Sequence, residues 1–175
     1  MNEYLSLAVG AALLYWPYLW CWYRKEDTAD YGLVPEYSFK VVLQTLAVSA
    51  IVLSLLTPVA LYWPGDNLPH KRNALEIFKF MGAGLAAAII EETFFRGWLQ
   101  TMIKKRCGTA AAVVLTNCIF APIHLIASPH WISLTTFFPG IIMGTLKEKY
   151  GNIMPSIIFH FLGNVWSIWF FPSSF

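Results

Sequence analysis

The chain has 175 residues, of which 57% are hydrophobic and 13% charged, with a net charge of +2. Soluble domains run nearer a quarter charged, so this chain has too little polar surface for a water-facing globule, and its composition suits a bilayer. The charge is too small and too scattered for a nucleic-acid face, and Cys21, Cys107 and Cys118, with no CxxC pair and an odd count, make no disulfide framework.

A spanning helix needs about 20 mostly apolar residues. Six stretches qualify or come close, which predicts an all-α, polytopic transmembrane bundle of about six spans. The first, 4–23, lacks a basic leading region and a small-residue cleavage site, so it reads as an anchor rather than a signal peptide. The second covers 41–63, and Pro64-Gly65-Asp66-Asn67 predicts a turn after it. Residues 1–73 thus form a unit of two helices that carry nothing specific. The third span covers 74–102, the fourth 109–127, the fifth a short 132–146 and the sixth 153–171, together a second unit over 74–175.

Lys104-Lys105-Arg106 and Lys147-Glu148-Lys149 punctuate the connections. With the N-terminus outside, the inner loops collect most of the Lys and Arg, as the positive-inside rule asks. Gly140 and Gly144 form a GxxxG, and Gly84 with Ala88 is a second small pair. Both predict close internal helix packing rather than a dimer seam.

Three sets of polar residues interrupt the apolar spans. Glu91, Glu92 and Arg96 lie in the third, Asn117 and His124 in the fourth, and His160 and Asn164 in the sixth. Ionisable groups at such depth are costly and mark function by default. Residues four apart share a helix face, so Glu92 can pair with Arg96 and leave Glu91 as the odd carboxylate. Phe120 lies four before His124, Asn117 seven before it, and His160 four before Asn164. Each span presents a polar stripe, and the three stripes are expected to face one wet cavity, which Pro122 would widen by bending its helix.

A carboxylate and an imidazole sharing a water can deprotonate it. An imidazole and a side-chain amide on one face can donate to a developing oxyanion. Together they suit water attack on a peptide carbonyl. No HExxH and no GxSxG is present, and Asp27, Asp30 and Asp66 all fall in loops. Cys118, six before His124, points away from it and makes a poor nucleophile.

Glu91-Glu92-Thr93-Phe94-Phe95-Arg96 resembles the EExxxR motif of the CPBP family of glutamic intramembrane proteases, which includes the CAAX-processing proteases. Phe120-Ala121-Pro122-Ile123-His124 resembles its FxxxH, and His160-Phe161-Leu162-Gly163-Asn164 its HxxxN, in the same order. The resemblance covers roughly 80–171. It implies that Glu91 and His124 activate the water, that His160 and Asn164 stabilise the oxyanion, and that Arg96 and Glu92 hold the network. Asn117 is expected beside His124 as its partner.

The resemblance further implies no metal or other cofactor, a membrane-anchored or lipidated protein substrate with a C-terminal tag, and a bacterial plasma membrane. Two rival readings stay open. Glu91, His124 and His160 could instead bind a metal, or the protein could be a non-catalytic immunity or scaffold factor.

Overall fold

The computed structural model describes residues 3–36, 38–62, 68–127, 129 and 131–171, and every regular element among them is helical. In chain order these are α1 (Glu3–Arg24), α2 (Phe39–Leu61), α3 (Ala74–Glu92), a π-helical segment (Thr93–Leu99), α4 (Gln100–Cys107), α5 (Thr109–Ala127), α6 (Phe137–Tyr150) and α7 (Met154–Phe170). Short 3-10 turns at Thr28–Tyr31 and Trp131–Thr136 precede α2 and α6. The turn expected at 64–67 lies outside the described residues.

Local chemistry sets several of the ends. Asn73 opens α3 with a capping box: its side chain accepts the Glu76 N–H at 3.0 Å, and the Glu76 carboxylate accepts the Asn73 N–H at 3.0 Å. Gly151 closes α6 at φ 76°, a left-handed position that glycine takes without a steric cost. Between α1 and α2, the Gly32 carbonyl accepts the Ile153 N–H at 3.0 Å. A Cβ at Gly32 would stand 2.8 Å from the Gly151 carbonyl oxygen, so glycine lets this loop dock on the α6–α7 turn.

α7 is the hub of the bundle. It packs on α2, α3 and α6, while α5 packs on α4 and α6, and α1 leans on α3 and the π segment. Phe95, Phe120, Met143, Leu146 and Phe159 form one buried cluster, and Cys21, Tyr31, Leu33 and Ile153 another. Outside these, large apolar side chains face outward, among them Leu7, Leu55 and Phe78. Such a surface is at rest only in lipid, and the chain is an integral membrane protein.

Among the described residues, three helical stretches are long and apolar enough to cross a bilayer: Tyr4–Arg24, Phe39–Leu61 and Thr109–Ile126. Six spans were expected. α3 falls short because Glu76, Lys79, Glu91 and Glu92 punctuate it, and α6 and α7 have 14 and 17 residues. The third predicted span is also not one continuous α-helix. It passes through the π-helical turns at Thr93–Leu99, and α5 by contrast runs on through Pro122.

Candidate active site

The three motifs meet where the end of α3, the π segment, α5 and α7 converge. Glu92 and Arg96 are fully buried, and so is Asn117 of α5. Arg96 Nη1 donates to Glu92 Oε1 at 3.1 Å, and Nη2 donates to Asn117 Oδ1 at 3.0 Å and to the Gly140 carbonyl of α6 at 3.4 Å. The guanidinium carbon lies 4.0 Å from the centre of the Phe120 ring, a cation–π contact strengthened by the dry surroundings. A buried charge is tolerable only when paired and hydrogen-bonded, and this guanidinium has a carboxylate, an amide, a carbonyl and an aromatic face.

The clamp explains the glycine pair on α6. A Cβ at Gly140 would overlap Asn117 Oδ1, and one at Gly144 would stand 2.7 Å from Gln100 Oε1. Gln100 Nε2 donates to the Gly144 carbonyl at 3.0 Å. The GxxxG thus opens α6 to two buried polar side chains, one turn apart. Sequence reading missed the roles of Gly140 and Gln100. The signal was there, since Glu92, Arg96, Gln100 and Lys104 recur every four residues opposite small residues spaced by four.

Asn117 does not partner His124. Its Oδ1 is taken by Arg96, and its Nδ2 donates to the Val113 carbonyl at 2.7 Å. Seven residues put it two turns, about 10 Å, from His124 along α5. That shared face serves the buried clamp at one level and the imidazole at another.

Glu91, His124 and His160 form a more open group, with side chains 26%, 27% and 11% exposed. Glu91 Oε2 lies 3.8 Å from His124 Nε2 and 3.9 Å from His160 Nε2. Both distances are too long for direct hydrogen bonds. This oxygen is buried and has no hydrogen-bond partner among the described residues. The other ring nitrogens are engaged: His124 Nδ1 lies 3.0 Å from the Phe120 carbonyl, and His160 Nδ1 lies 2.8 Å from Glu92 Oε1. Both partners are acceptors, so each Nδ1 carries the proton and each Nε2 faces Glu91. Phe120 meets the His124 ring edge-to-face at 4.5 Å between centroids.

Asn164 is further off. Its Nδ2 donates at 2.9 Å to the Gly84 carbonyl, seven residues before Glu91 on α3. The two helices approach closely there because Gly84 has no side chain: a Cβ would stand 3.0 Å from Asn164 Cβ.

Chemically, the group offers a carboxylate flanked by two oriented imidazoles and backed by a neutralised buried ion pair. Residues 73–166, more than half of the chain, match the family model for the Rce1-like type II CAAX prenyl endopeptidases. The chain belongs to this Rce1-like family. All three motifs fall inside the matched stretch. The family consists of CAAX-type peptidases of the membrane that act on membrane-associated protein. No curated protein and no solved structure matches the chain.

Proposed function

We propose that the chain is an intramembrane glutamic endopeptidase that hydrolyses a peptide bond near the C-terminus of a membrane-associated protein, with water as the nucleophile. One observation carries the reading. Glu91 Oε2, buried and without a hydrogen-bond partner among the described residues, lies within one water's reach of both imidazole Nε2 atoms.

In this mechanism a water between Glu91 and His124 gives its proton to the Glu91 carboxylate as its oxygen attacks the scissile carbonyl. The His124 lone pair orients the water, because the Phe120 carbonyl fixes the proton on Nδ1. The carbonyl oxygen becomes an oxyanion, which His160 and Asn164 stabilise. Asn164 has a second Nδ2 hydrogen beyond the one given to Gly84. For His160 to donate from Nε2 while Nδ1 serves Glu92, its ring must carry both protons. Two carboxylates, Glu91 and Glu92, then balance the Arg96 guanidinium and the His160 imidazolium. Glu91 returns its proton to the departing amine as the C–N bond breaks. The steps call on no cofactor. The setting is the bacterial plasma membrane, and the substrate a lipidated or membrane-anchored protein with a short C-terminal tag.

The test compares membrane proteins from cells carrying the wild-type or the Glu91→Gln chain by mass spectrometry of their C-termini. A general base is worth about 10²–10⁴ in rate, so the variant should leave a substrate unprocessed while folding normally. His124→Ala should do the same, and wild-type cleavage should persist in chelator-treated vesicles. Near-normal processing by either variant would end this reading.

A further inference from the structure

A cavity of about 370 Å³ opens between α3 and α7, with Arg72, Phe80, Ala83, Gly84, Asn164 and Ser167 in its lining. Its inner end is Asn164, one helical turn beyond His160. Its outer end is Arg72, just before the α3 cap. Beyond Phe80 the floor on α3 is small side chains, and the α7 wall carries an amide and a hydroxyl. An extended backbone fits such a floor and can donate its N–H groups to the Asn164 Oδ1 and to the Ser167 Oγ, whose own hydrogen goes to the Asn164 carbonyl at 2.7 Å.

Arg72 is held in place there. Residues 70–72 cap the exposed carbonyls at the end of α7: the His70 N–H donates to the Trp169 carbonyl at 2.9 Å, and Arg72 Nε donates to the Ile168 carbonyl at 3.3 Å. The guanidinium carbon lies 5.5 Å from the centre of the Phe80 ring. Among the described residues no carboxylate pairs with Arg72, unlike Arg96. Its two terminal amino groups form the fork that binds a carboxylate bidentately.

We propose that this cleft binds the substrate segment on the C-terminal side of the cut, with Arg72 holding the free C-terminal carboxylate. The inference rests on the peptidase reading and names which end of the substrate enters the cleft. It also sets a length. Phe80, beneath the guanidinium, precedes Glu91 by eleven positions on the helix, about 16 Å at 1.5 Å per residue. An extended chain covers that distance in about five residues at ~3.3 Å each.

The test measures binding separately from cleavage. The full chain with Glu91→Gln is placed in lipid nanodiscs, and the probes are fluorescent, S-farnesylated peptides with three, five or nine residues after the lipidated cysteine. Each is made as the free acid and as the C-terminal amide. The five-residue acid should bind at least tenfold more tightly than its amide, and the nine-residue pair should show no difference. Adding Arg72→Gln should bring the five-residue acid down to the level of its amide and leave the amide unchanged.

Equal binding of the five-residue acid and amide overturns the proposal. So does a loss of acid and amide alike in Arg72→Gln, which would make Arg72 only the cap of α7, and so does an absence of binding. If Arg72→Gln fails to fold, Ala83→Leu decides, since it fills the cleft and leaves the cap intact. It should weaken both forms of the five-residue peptide about tenfold, and unchanged binding overturns the proposal. If wild type cleaves none of these peptides but the acid–amide difference stands, the peptidase reading fails and the cleft survives.

Discussion

Glu91 and Glu92 are neighbours in sequence, yet they sit in opposite surroundings. Glu92 is fully buried, paired with Arg96 and bonded to His160. Glu91 is a quarter exposed, and its buried Oε2 has no hydrogen-bond partner among the described residues. The difference separates holding from reacting. A carboxylate whose Oε1 is held by both a guanidinium and an imidazole is a poor base, since those two partners stabilise its charge, although its Oε2, like that of Glu91, has no hydrogen-bond partner among the described residues. One that stands 3.8–3.9 Å from two imidazole nitrogens is arranged for a small molecule between them. The buried clamp fixes the His160 ring, and the open group beside it inherits that geometry.

The strongest way to break this division is at Arg96. Arg96→Met should leave the buried Glu92 with His160 as its remaining partner, and breaking a buried ion pair by removing one member costs about 3–5 kcal/mol. Thermal unfolding in detergent should show it as a large drop in midpoint. The double variant Glu92→Gln with Arg96→Met removes both charges and should recover most of that stability. It should stay inactive, because His160 Nδ1 then faces an amide that cannot hold an imidazolium. If the double variant regains both stability and cleavage, the clamp is packing alone.

How much of this was legible beforehand differs between the two units. α1 and α2 were plain because their apolar runs are unbroken, so hydropathy alone located them. The helices of the second unit were harder to bound, since burying polar groups against one another shortens and punctuates the runs that hydropathy detects. That Glu91, His124 and His160 would share one cavity was expected from the cost of leaving polar groups in lipid, while four-residue spacing defined only the face of each helix. The π segment did not follow. Thr93-Phe94-Phe95 reads as ordinary helix, and the π-helical stretch that begins there buries Phe95 and Arg96 against the neighbouring helices. Nor did the partner of Asn117, which depends on Gly140, a residue from another helix.

That dependence gives a smaller, sharper test. Gly140→Ala adds one methyl group, which would overlap Asn117 Oδ1 and stand 3.1 Å from Arg96 Nη2. Overpacking of this kind costs about 1–3 kcal/mol. Cleavage should fall at least tenfold, because the clamp moves and takes His160 with it. Gly82→Ala is the control, since a Cβ there meets nothing within 4 Å. It should leave stability and activity close to wild type. An equal response from the two glycines would show that the clamp region tolerates displacement.

The smallest effect is expected at the far end of the same stripe. Lys104 and Glu148 make another cation–carboxylate pair, but the Lys104 side chain is 44% exposed, against 0% for both partners of the Glu92–Arg96 pair. Exposed pairs contribute about 0–1 kcal/mol, so Lys104→Ala should shift the unfolding midpoint slightly and leave cleavage intact. The pair also makes a prediction about pH. Burial pushes the Glu148 carboxyl up, but hydrogen bonds from Lys104 and Gln100 and the charge of Lys147 outweigh it, leaving the group below its ordinary value. A depressed carboxyl stabilises the fold at pH above its unfolded value, and that contribution is lost as the pH falls through the folded one. Glu148→Gln should therefore narrow the loss of stability on acidification below about pH 4.5 without changing cleavage at neutral pH. A variant that instead loses cleavage at neutral pH would tie this peripheral pair to the chemistry, and the separation between a reacting centre and its structural surroundings would have to be redrawn along the whole stripe.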